Sequence, residues 1–468
     1  MRIPARTPSI NGMSILLLTF LMIQLTSCEE TIQPTDQSGE NVNPNKPNAN
    51  NLIVQETVLG DADKYSTIYE IIDAGDDNFL FRGYYHNRYA IGKLDRNGLL
   101  VWLFRSRYTI RDFVRIPDLG GVLDNATVVV GSYDSDYDGD NDIGYITLIN
   151  RNGTLIDELV YSVDTVDVWL NSLDIITSSD TMYTFLAAGG AEVSNKEYPY
   201  VARFTISDDS IMTKKEQKVF FDIPDIVFTN IKAEPEQDPA SCFVTGYQFN
   251  ENEDIGEQKI IKLTNSLTAP WQQDIIPQDG YDSYSLMGRS LLCSNDRLFI
   301  VGYTDVNKAD NPPEGYWDAG FVASLSFSGN MNWIKTVILS QYTECFRSCF
   351  LDNGILYITG NYSNFVILES SEVFGYGLLS TVNPLTGDLI SHMSFGDEGY
   401  SSAFNTLFVD GTTVFAAGYT NYANEGGTYQ AWFVVIDISG SSSITLKEQP
   451  VNIPVNGIPE PQQRLRYE

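Results

Sequence analysis

Short apolar runs that end in glycine recur along the chain at a nearly constant interval. Typical examples are TVVVGSY at 127–133 and LFIVGYT at 298–304, each of strand length. Successive glycines lie 48 to 58 residues apart. A long repeating period indicates an architecture in which every repeat is one supersecondary unit that stacks on its neighbours. The glycines that end these runs, which we call anchor glycines, are Gly83, Gly131, Gly189, Gly246, Gly302, Gly360 and Gly418.

Each repeat predicts one four-stranded antiparallel sheet. In the fifth repeat, apolar-rich runs cover 285–293, 298–304, 319–325 and 331–339, and polar or glycine-containing segments separate them. Pairs such as Asn97-Gly98 are typical of tight hairpin turns, because both residues tolerate a positive φ. No amphipathic helical pattern interrupts the repeats.

Seven such sheets in series predict an all-β fold, a seven-bladed β-propeller of four-stranded antiparallel blades over residues 52–451. Radial stacking buries both faces of every sheet and protects the strand edges. An open superhelical solenoid of the same sheets is the structural alternative. In a propeller the anchor glycines would lie where backbones crowd, which explains why a side chain is absent there.

The third strand and turn of the first repeat carry a more specific pattern. It reads AIGKLDRNG at 90–98 and is followed by Trp102 in the next run. This pattern resembles the repeat of a family of bacterial β-propeller proteins, which combines an apolar run, Lys-Leu-Asp, a turn with Gly, and an aromatic residue in the outer strand. The resemblance implies the propeller fold and says little about activity. Trp271 and Trp333 recur at the same position in later repeats, which predicts a packing role for all three tryptophans.

Two segments are candidates for closing the ring. Residues 52–59 precede the first repeat, and residues 443–451 follow the last one. We predict that 52–59 joins the final blade, because a blade built from both ends of the chain resists unzipping. Residues 452–468 contain several prolines and predict an extended C-terminal tail.

The N-terminus carries a targeting pattern. After a basic start, an apolar run of about ten residues at 14–23 is too short to span a membrane as a helix. The run leads into LTSC, which ends at Cys28. This pattern resembles the lipobox of bacterial lipoproteins. The resemblance implies a signal peptide at 1–27, lipidation of Cys28 and stable attachment to a membrane through acyl chains.

Residues 28–51 predict a disordered tether between that anchor and the folded body. They are rich in Pro, Asn and Gln and contain almost no apolar side chains, so they cannot bury enough surface to fold. Glu29 and Glu30 follow the lipidated position. They resemble the surface-export signal of lipoproteins in the Bacteroidota, although a solvated linker would read the same way. The resemblance implies an outer-membrane, lipid-anchored protein and favours the cell surface over the periplasmic face.

The charge balance excludes one class of partner. The chain has 61 acidic and 29 basic residues, which gives a net charge of −32. Nucleic-acid binding needs a basic footprint, and the sequence has none. The acidic residues are spread along the chain, which favours solvated loops over a dedicated cation store.

One loop of the second repeat predicts a structural calcium site. It reads DSDYDGDND at 134–142, and Ca²⁺ prefers about six to eight oxygen ligands from such alternating positions. The loop resembles the calcium-binding hairpin of α-integrin-type propellers, but Tyr145 stands where an EF-hand has Glu. A solvated acidic loop is the alternative. By the resemblance, Asp134, Asp136, Asp138 and Asp142 would provide side-chain oxygens, and Asp140 a backbone carbonyl.

Four cysteines besides Cys28 lie in the fourth to sixth repeats. Outside the cytoplasm they could form disulfides with three possible pairings, but buried free thiols are the favoured interpretation. Their spacing does not indicate a zinc site. These residues are Cys242, Cys293, Cys345 and Cys349.

No pattern in the sequence indicates a catalytic centre. His86 is predicted in a loop and His392 in an outer strand, far apart in the ring, so neither supports a nucleophile–base pair. We therefore predict a non-enzymatic lipoprotein that binds a protein partner or serves as an accessory subunit of an outer-membrane assembly. Two alternatives stay open, a glycan-binding lipoprotein of a nutrient-uptake system and a propeller hydrolase or lyase that uses paired acids.

The glycan alternative rests on aromatic residues near predicted loops. Such side chains can stack on sugar rings, although packing at strand edges is the simpler interpretation. The candidates are Tyr198, Tyr200, Tyr316 and Trp317.

Overall fold

The structure is a computed structural model in which most of the described residues belong to β-strands. Within the described ranges no α-helix occurs. These ranges are 52–118, 121, 123–134, 142–161, 166–179, 182–207, 209–235, 241–250, 255–275, 282–294, 296–307, 317–337, 343–364, 374–396, 400–421, 427–439, 446–448 and 455–457.

The described residues form thirty strands, and most of these strands have apolar residues at their buried positions. In chain order they are β1 Ile53–Leu59, β2 Thr67–Asp73, β3 Asn78–Tyr84, β4 Tyr89–Asp95, β5 Leu100–Arg105, β6 Thr109–Arg115, β7 Thr127–Asp134, β8 Asp142–Ile149, β9 Leu155–Tyr161, β10 Asp167–Ser179, β11 Met182–Glu192, β12 Glu197–Ser207, β13 Met212–Val219, β14 Ile226–Ala233, β15 Cys242–Asn250, β16 Ile255–Leu263, β17 Trp271–Ile275, β18 Asp282–Ser294, β19 Arg297–Asn307, β20 Trp317–Ser326, β21 Met331–Val337, β22 Thr343–Asp352, β23 Ile355–Asn364, β24 Phe374–Val382, β25 Leu389–Phe395, β26 Ser402–Asp410, β27 Thr413–Thr420, β28 Gln430–Asp437, β29 Leu446–Glu448 and β30 Val455–Gly457.

The strands form seven antiparallel four-stranded blades, which confirms the predicted propeller. Blades 1 to 6 are β2–β5, β6–β9, β10–β13, β14–β17, β18–β21 and β22–β25. Blade 7 combines β26, β27 and β28 with β1. The first strands of blades 2 to 7 contact one another in order, and β26 then contacts β2 of blade 1. The first strands therefore form the inner wall of the ring.

The N-terminal strand closes the ring, as predicted. β1 pairs antiparallel with β28 from Ile53 opposite Ile436 to Leu59 opposite Ala431. Its Thr57 hydroxyl also donates a hydrogen bond of 2.8 Å to a backbone carbonyl in the last turn of blade 1. The described part of the other candidate segment, 443–451, forms β29. This strand pairs in parallel with β1 on its outer side and does not take the place of β1 in the blade. Within the tail, β30 pairs in parallel with the outer strand β5.

The predicted tryptophan packing is also confirmed. Trp102 is 6% exposed, and its indole N–H donates to a carbonyl in the turn of the next blade at 3.0 Å. A side chain on Gly153 in that turn would collide with the Trp102 ring. Trp271 and Trp333 meet equivalent turn glycines in the next blades. Each tryptophan therefore joins one blade to its neighbour.

The four described cysteines are free thiols, in agreement with the favoured interpretation. Cys242, Cys345 and Cys349 are buried, and Cys293 is half-buried. Burial raises the pKa of the Cys242 and Cys349 thiols to about 12. A thiol that stays protonated is a poor nucleophile and a poor metal ligand, so these residues act as small apolar side chains.

Candidate functional site

The anchor glycines lie beside a β-bulge in the first strand of every blade. In blade 2, Ile110 pairs with Gly131 and Asp112 pairs with Val130, so Arg111 is the extra residue. A Cβ atom on Gly131 would lie less than 3.0 Å from the Thr109 carbonyl oxygen, a separation that folded chains avoid. The glycine therefore accommodates the backbone of the bulge. The seven extra residues, which we call the bulge ring, are Tyr69, Arg111, Asn171, Thr229, Arg289, Arg347 and Asn405.

Charged side chains on the first strands of blades 1 to 4 influence one another along the inner wall. Burial alone would lower the pKa of Lys232 in blade 4. The carboxylates of Asp174, Asp112 and Glu70, in blades 3, 2 and 1, outweigh burial and raise this pKa. Blade 3 stands between Lys232 and Asp112 in the ring, and its Ser172 hydroxyl contacts both Asp112 and the Ile231 N–H of blade 4. The inner wall therefore carries a cluster of opposite charges.

Two acids of this cluster bind the neighbouring blade. Asp112 accepts hydrogen bonds from the Ser172 hydroxyl at 2.5 Å and from the Leu173 N–H at 3.0 Å. Asp174 accepts one from the Ala233 N–H at 2.8 Å. These bonds link blade 2 to blade 3 and blade 3 to blade 4. The Asp112 and Asp174 carboxylates therefore have a structural role, because protein donors already satisfy their hydrogen-bonding capacity.

The third acid, Glu70, forms an ion pair with Arg82, and both side chains are partly exposed to solvent. Glu70 and Arg82 form an ion pair of 2.7 Å, and their side chains are 27% and 23% exposed. Burial has the largest effect on the pKa of Glu70 and raises it. The Asp112 charge raises this pKa further, whereas the Arg82 charge lowers it. This ion pair therefore remains in partial contact with solvent.

Three arginines occupy the bulge ring, and each has a different environment. Arg347 donates from Nε to the Asn361 side-chain oxygen at 3.0 Å. Arg289 stacks over the ring of Tyr303, 5.2 Å from its centroid. Arg111 has a buried Nε that meets no hydrogen-bond acceptor among the described residues. The contacts of Arg347 and Arg289 hold each side chain against the second strand of its own blade.

Half-buried tyrosines lie together at one end of the blades. This end carries the starts of the first and third strands and the end of the second strand. Tyr65 contacts Tyr84 edge to face with ring centroids 5.6 Å apart, and Tyr419 contacts Tyr429 at 4.9 Å. We call this surface the tyrosine face. Its half-buried tyrosines are Tyr65, Tyr84, Tyr85, Tyr89, Tyr133, Tyr198, Tyr247, Tyr400, Tyr419 and Tyr429.

His86 serves the closure of the ring. Its Nε2 accepts a hydrogen bond of 3.0 Å from the backbone N–H of Asp61, just after β1. Arg105 lies 3.1 Å from Nδ1, and Tyr85 stacks on the imidazole with centroids 4.1 Å apart. Burial chiefly lowers the His86 pKa, so the ring is neutral near pH 7. His392 is exposed on β25, away from this cluster.

A groove of about 690 Å³ lies between blades 3 and 4, but its charges are already paired. Lys262 binds the buried Glu234 at 2.7 Å, and Arg203 binds Glu216 at 2.7 Å. Each ion pair lies within one blade, and the Arg203 guanidinium also donates to the Asn265 carbonyl, which links blade 3 to blade 4. Its lining residues are Arg203, Glu216, Ser241, Lys262, Thr264, Asn265 and Ser266.

The candidate aromatic residues divide into accessible and inaccessible positions. Tyr198 is half-buried and packs edge to face against Phe221 at 5.0 Å. Tyr200 is fully buried, and its hydroxyl forms a 2.9 Å hydrogen bond with Gln217, so it is not available to a sugar ring. Residues 199–202 of β12 are all buried, because neighbouring blades cover both faces of this strand, which the sequence pattern near its start did not reveal. Tyr316 and the Trp317 side chain lie outside the described residues.

The calcium and lipidation predictions also fall outside what the structure describes. Asp136, Asp138 and Asp140 are not described, and only the backbones of Asp134 and Asp142 are, as the ends of β7 and β8. In the described part of the chain, no group of His, Cys, Asp and Glu has a metal-binding arrangement. The loop therefore stays a prediction, which thermal melts with and without a chelator would check. Cys28 also precedes the first described residue.

Comparisons with known proteins extend to the fold alone. No protein-family model matches the chain, and no curated protein matches it significantly. A Bacteroides caccae protein of unknown function matches 58% of this chain and 81% of its own, with 9% identity and a TM-score of 0.34. Drosophila Plexin A in complex with Semaphorin 1b matches 84% and 88%, with 7% identity and a TM-score of 0.44. The polysaccharide lyase Uly1 matches 88% and 95%, with 10% identity and a TM-score of 0.45.

These similarities are too distant to transfer an activity. Among the residues described here, no helix reaches the length and apolarity that a membrane crossing requires.

Proposed function

We propose that this protein is a lipid-anchored binding module of the outer membrane. Its propeller binds a protein partner or acts as an accessory subunit of a larger assembly, without catalysing a reaction itself. Cys28 carries the lipid, and residues 28–51 hold the propeller away from the membrane. The anchor favours a role at the cell surface.

The tyrosine face is the observation that supports this proposal. Tyrosine provides a large, rigid contact area with a polar tip, and it is enriched among residues that dominate binding energy at protein interfaces. Tyr84 and Tyr419 are half-buried, so each retains surface that a partner can cover. Both lie on blades whose backbones are fixed by the ring closure, which presents them without an ordering cost.

Purification from detergent-solubilised outer membranes tests this function. The wild-type chain should retain a stoichiometric partner, and a Tyr84→Ser/Tyr419→Ser variant should lose it. Leu385→Ser is the matched control, because Leu385 is 65% exposed in the turn between the third and fourth strands, at the opposite end of its blade. No retained partner, or equal retention by both variants, would contradict the proposal.

Fractionation tests the anchor separately. The wild-type protein should remain with the outer membrane, and Cys28→Ala should be released into the soluble fraction, because the acyl chains supply the binding energy. A Cys242→Ala variant is the control, since this buried thiol has no role in anchoring. A Cys28→Ala protein that stays with the membrane would disprove lipid attachment at this residue.

A glycan-binding function is a second candidate, favoured by one exposed aromatic pair. Phe221 is 60% exposed beside Tyr198 on the tyrosine face, and such surfaces can stack on sugar rings. A glycan array should then show a ligand that Phe221→Ser loses. Ile390→Ser is the matched control, because Ile390 is 58% exposed on an outer strand. An array without any ligand would dismiss this candidate.

A further inference from the structure

We propose that the outer edge of blade 2 binds the C-terminal tail of the same chain, with residues 464–466 paired in parallel with β9. This tail segment has the sequence Arg-Leu-Arg. The contact makes the tail a strap over three successive blades, which are blades 7, 1 and 2. It goes beyond the proposed partner surface and does not depend on it.

The tail already covers the outer edges of two blades. β29 pairs with β1, the outer strand of blade 7, and β30 pairs with β5, the outer strand of blade 1. These two sheets therefore have five strands each, whereas the sheet of blade 2 ends at β9 among the described residues. An uncovered edge presents backbone N–H and C=O groups that can bind a further strand. β9 is the next such edge in the direction in which the tail runs.

Both tail strands bind at the same position along an outer strand. A β-bulge lies near the start of each outer strand, with Val54 as the extra residue in β1 and Val101 in β5. Pairing with the tail begins two residues after the bulge in both blades, at Glu56 and at Leu103. The shared register indicates that the bulge sets where a tail strand can start.

The same register locates the next tail strand. Leu446 pairs first in blade 7 and Val455 pairs first in blade 1, so one blade corresponds to nine residues of tail. A further step of nine residues leads from 455 to Arg464. In β9 the extra residue of the bulge is Ile156, which places the first pairing position two residues later, at Glu158. Arg464 therefore pairs with Glu158 in the proposed strand.

The connecting segments of the tail have the same length and composition. Six residues separate β29 from β30, at 449–454, and six precede the proposed strand, at 458–463. Each segment contains two prolines, which disfavour helix and predict an extended course. The step between blades is also alike, because Thr57 of β1 and Trp102 of β5 each donate to the turn before the next outer strand. A connection that spans the first step can therefore span the second.

Glu158 provides the second, independent observation. Its side chain is 9% exposed, and the Arg107 guanidinium lies 3.9 Å from its Oε1, beyond hydrogen-bond distance. Its Oε2 is buried and meets no donor within the described ranges. A buried carboxylate without donors costs stability, so a cation brought to this position would stabilise the edge.

The sequence of the proposed strand supplies that cation. Paired residues of neighbouring strands project from the same face of a sheet, about 4.8 Å apart, so Arg464 lies beside the Glu158 carboxylate. Its planar fork matches carboxylate oxygens, and Arg466 projects from the same face. Leu465 projects from the other face, next to Leu159, which is 4% exposed. The segment thus matches the edge in both charge and apolar character.

A disulfide cross-link in the full-length chain tests the register. Glu158→Cys with Arg464→Cys should form an intramolecular disulfide, because paired residues of adjacent strands have the Cα separation that a disulfide needs. Peptide mass spectrometry without reduction detects the link. Gln217→Cys with Arg464→Cys is the matched control and should stay unlinked. Gln217 holds the same position on the outer strand of blade 3, two residues after the bulge residue Lys215.

Three outcomes of this experiment would overturn the proposal. The first is a folded Glu158→Cys/Arg464→Cys protein without the link. The second is equal linking in the control, which means that the tail reaches either edge without preference. The third is a disulfide between two chains, which assigns the edge to the tail of a second copy.

Hydrogen exchange guards against a misfolded cysteine variant. Removal of residues 458–468 leaves every described strand in the chain, and it should speed amide exchange in β9 by about tenfold or more. Arg464→Glu should act like the truncation, because it places a second carboxylate beside Glu158. Lys215→Glu makes the same charge change at an exposed position of blade 3 and should leave β9 unchanged. Wild-type exchange of β9 in the truncated chain would refute the strap.

Discussion

At the level of single residues, the anchor glycines are the positions where one added methyl group should cost most. Gly131→Ala would push a Cβ atom against the Thr109 carbonyl oxygen, and the backbone of the bulge has no flexible side chain to yield. We expect a loss of about 3 kcal/mol in the free energy of unfolding, measured by urea denaturation. Gly411→Asn is the control, because open space surrounds Gly411 and Asn tolerates its φ of 62°. Equal losses in both variants would refute the crowding argument.

Glu197 predicts a pH-dependent stability. It starts β12 directly opposite Glu192, and burial first, then the Glu192 and Asp225 charges, raise its pKa to about 7 from 4.5. The folded state therefore holds this proton more tightly than the unfolded state. The stability that the Glu197 proton contributes to the folded state is fully present below pH 4.5, and it is lost as the pH rises to about 7.

Replacement of this carboxylate should remove that dependence. Glu197→Gln should raise the melting temperature at about pH 8 and change it little at about pH 4.5, because protonated Glu resembles Gln. Glu216→Gln is the matched control on the next strand, where it loses an ion pair with Arg203 and should not raise the melting temperature. A Glu197→Gln variant with no gain at high pH would show that the carboxylate is hydrated.

At the level of strands, the sequence predicted the elements well and their ends less well. In repeat five, the run at 285–293 became β18 Asp282–Ser294, and the run at 298–304 became β19 Arg297–Asn307. Apolar residues define the buried middle of a strand, whereas hydrogen bonds extend its ends through polar residues that carry no periodic signal. The anchor glycines, the three tryptophans and the closing strand β1 were predictable from the sequence, because each depends on local crowding or on a position that recurs in every repeat.

The channel could not be predicted in the same way. Glu70 and Lys232 interact electrostatically although about 160 residues separate them, a proximity that arises only when the ring closes. A bulge adds one residue without changing the apolar pattern on either side, so the sequence does not mark Arg111 as different from a strand residue. The arginines of the inner wall therefore read as ordinary surface charges until the blades are assembled.

The closing strand predicts how the chain responds to N-terminal truncation. A chain that starts at residue 52 retains β1 and should melt like the full-length protein. A chain that starts at residue 61 loses β1, including Ile53 and Leu59, which are 3% and 1% exposed. Each buried side chain of this size contributes about 1.5–3 kcal/mol, so the melting temperature should fall sharply. Equal melting temperatures would mean that β1 does not close the ring.

At the level of the whole molecule, the charge is unevenly distributed. The chain carries a net charge of −32, yet the inner wall holds Arg111, Lys232, Arg289 and Arg347. Asp112 and Asp174 bind protein donors across blade boundaries, so they contribute to cohesion of the ring. The excess acidic residues lie elsewhere, where they keep the protein soluble and repel one another. Exterior repulsion and internal pairing therefore respond differently to salt.

This difference predicts a salt-dependent stability. Between about 0.01 M and 0.1 M NaCl the Debye length falls from about 30 Å to about 10 Å, which screens repulsion among exposed carboxylates and spares paired, buried charges. We expect the melting temperature at pH 7 to rise by about 2 °C or more over that range. At a pH near the sequence pI of about 4.2, where net repulsion vanishes, the same series should leave it unchanged. A melting temperature that falls with salt at pH 7 would instead mean that attractive surface ion pairs dominate, and that the acidic excess does not destabilise the ring.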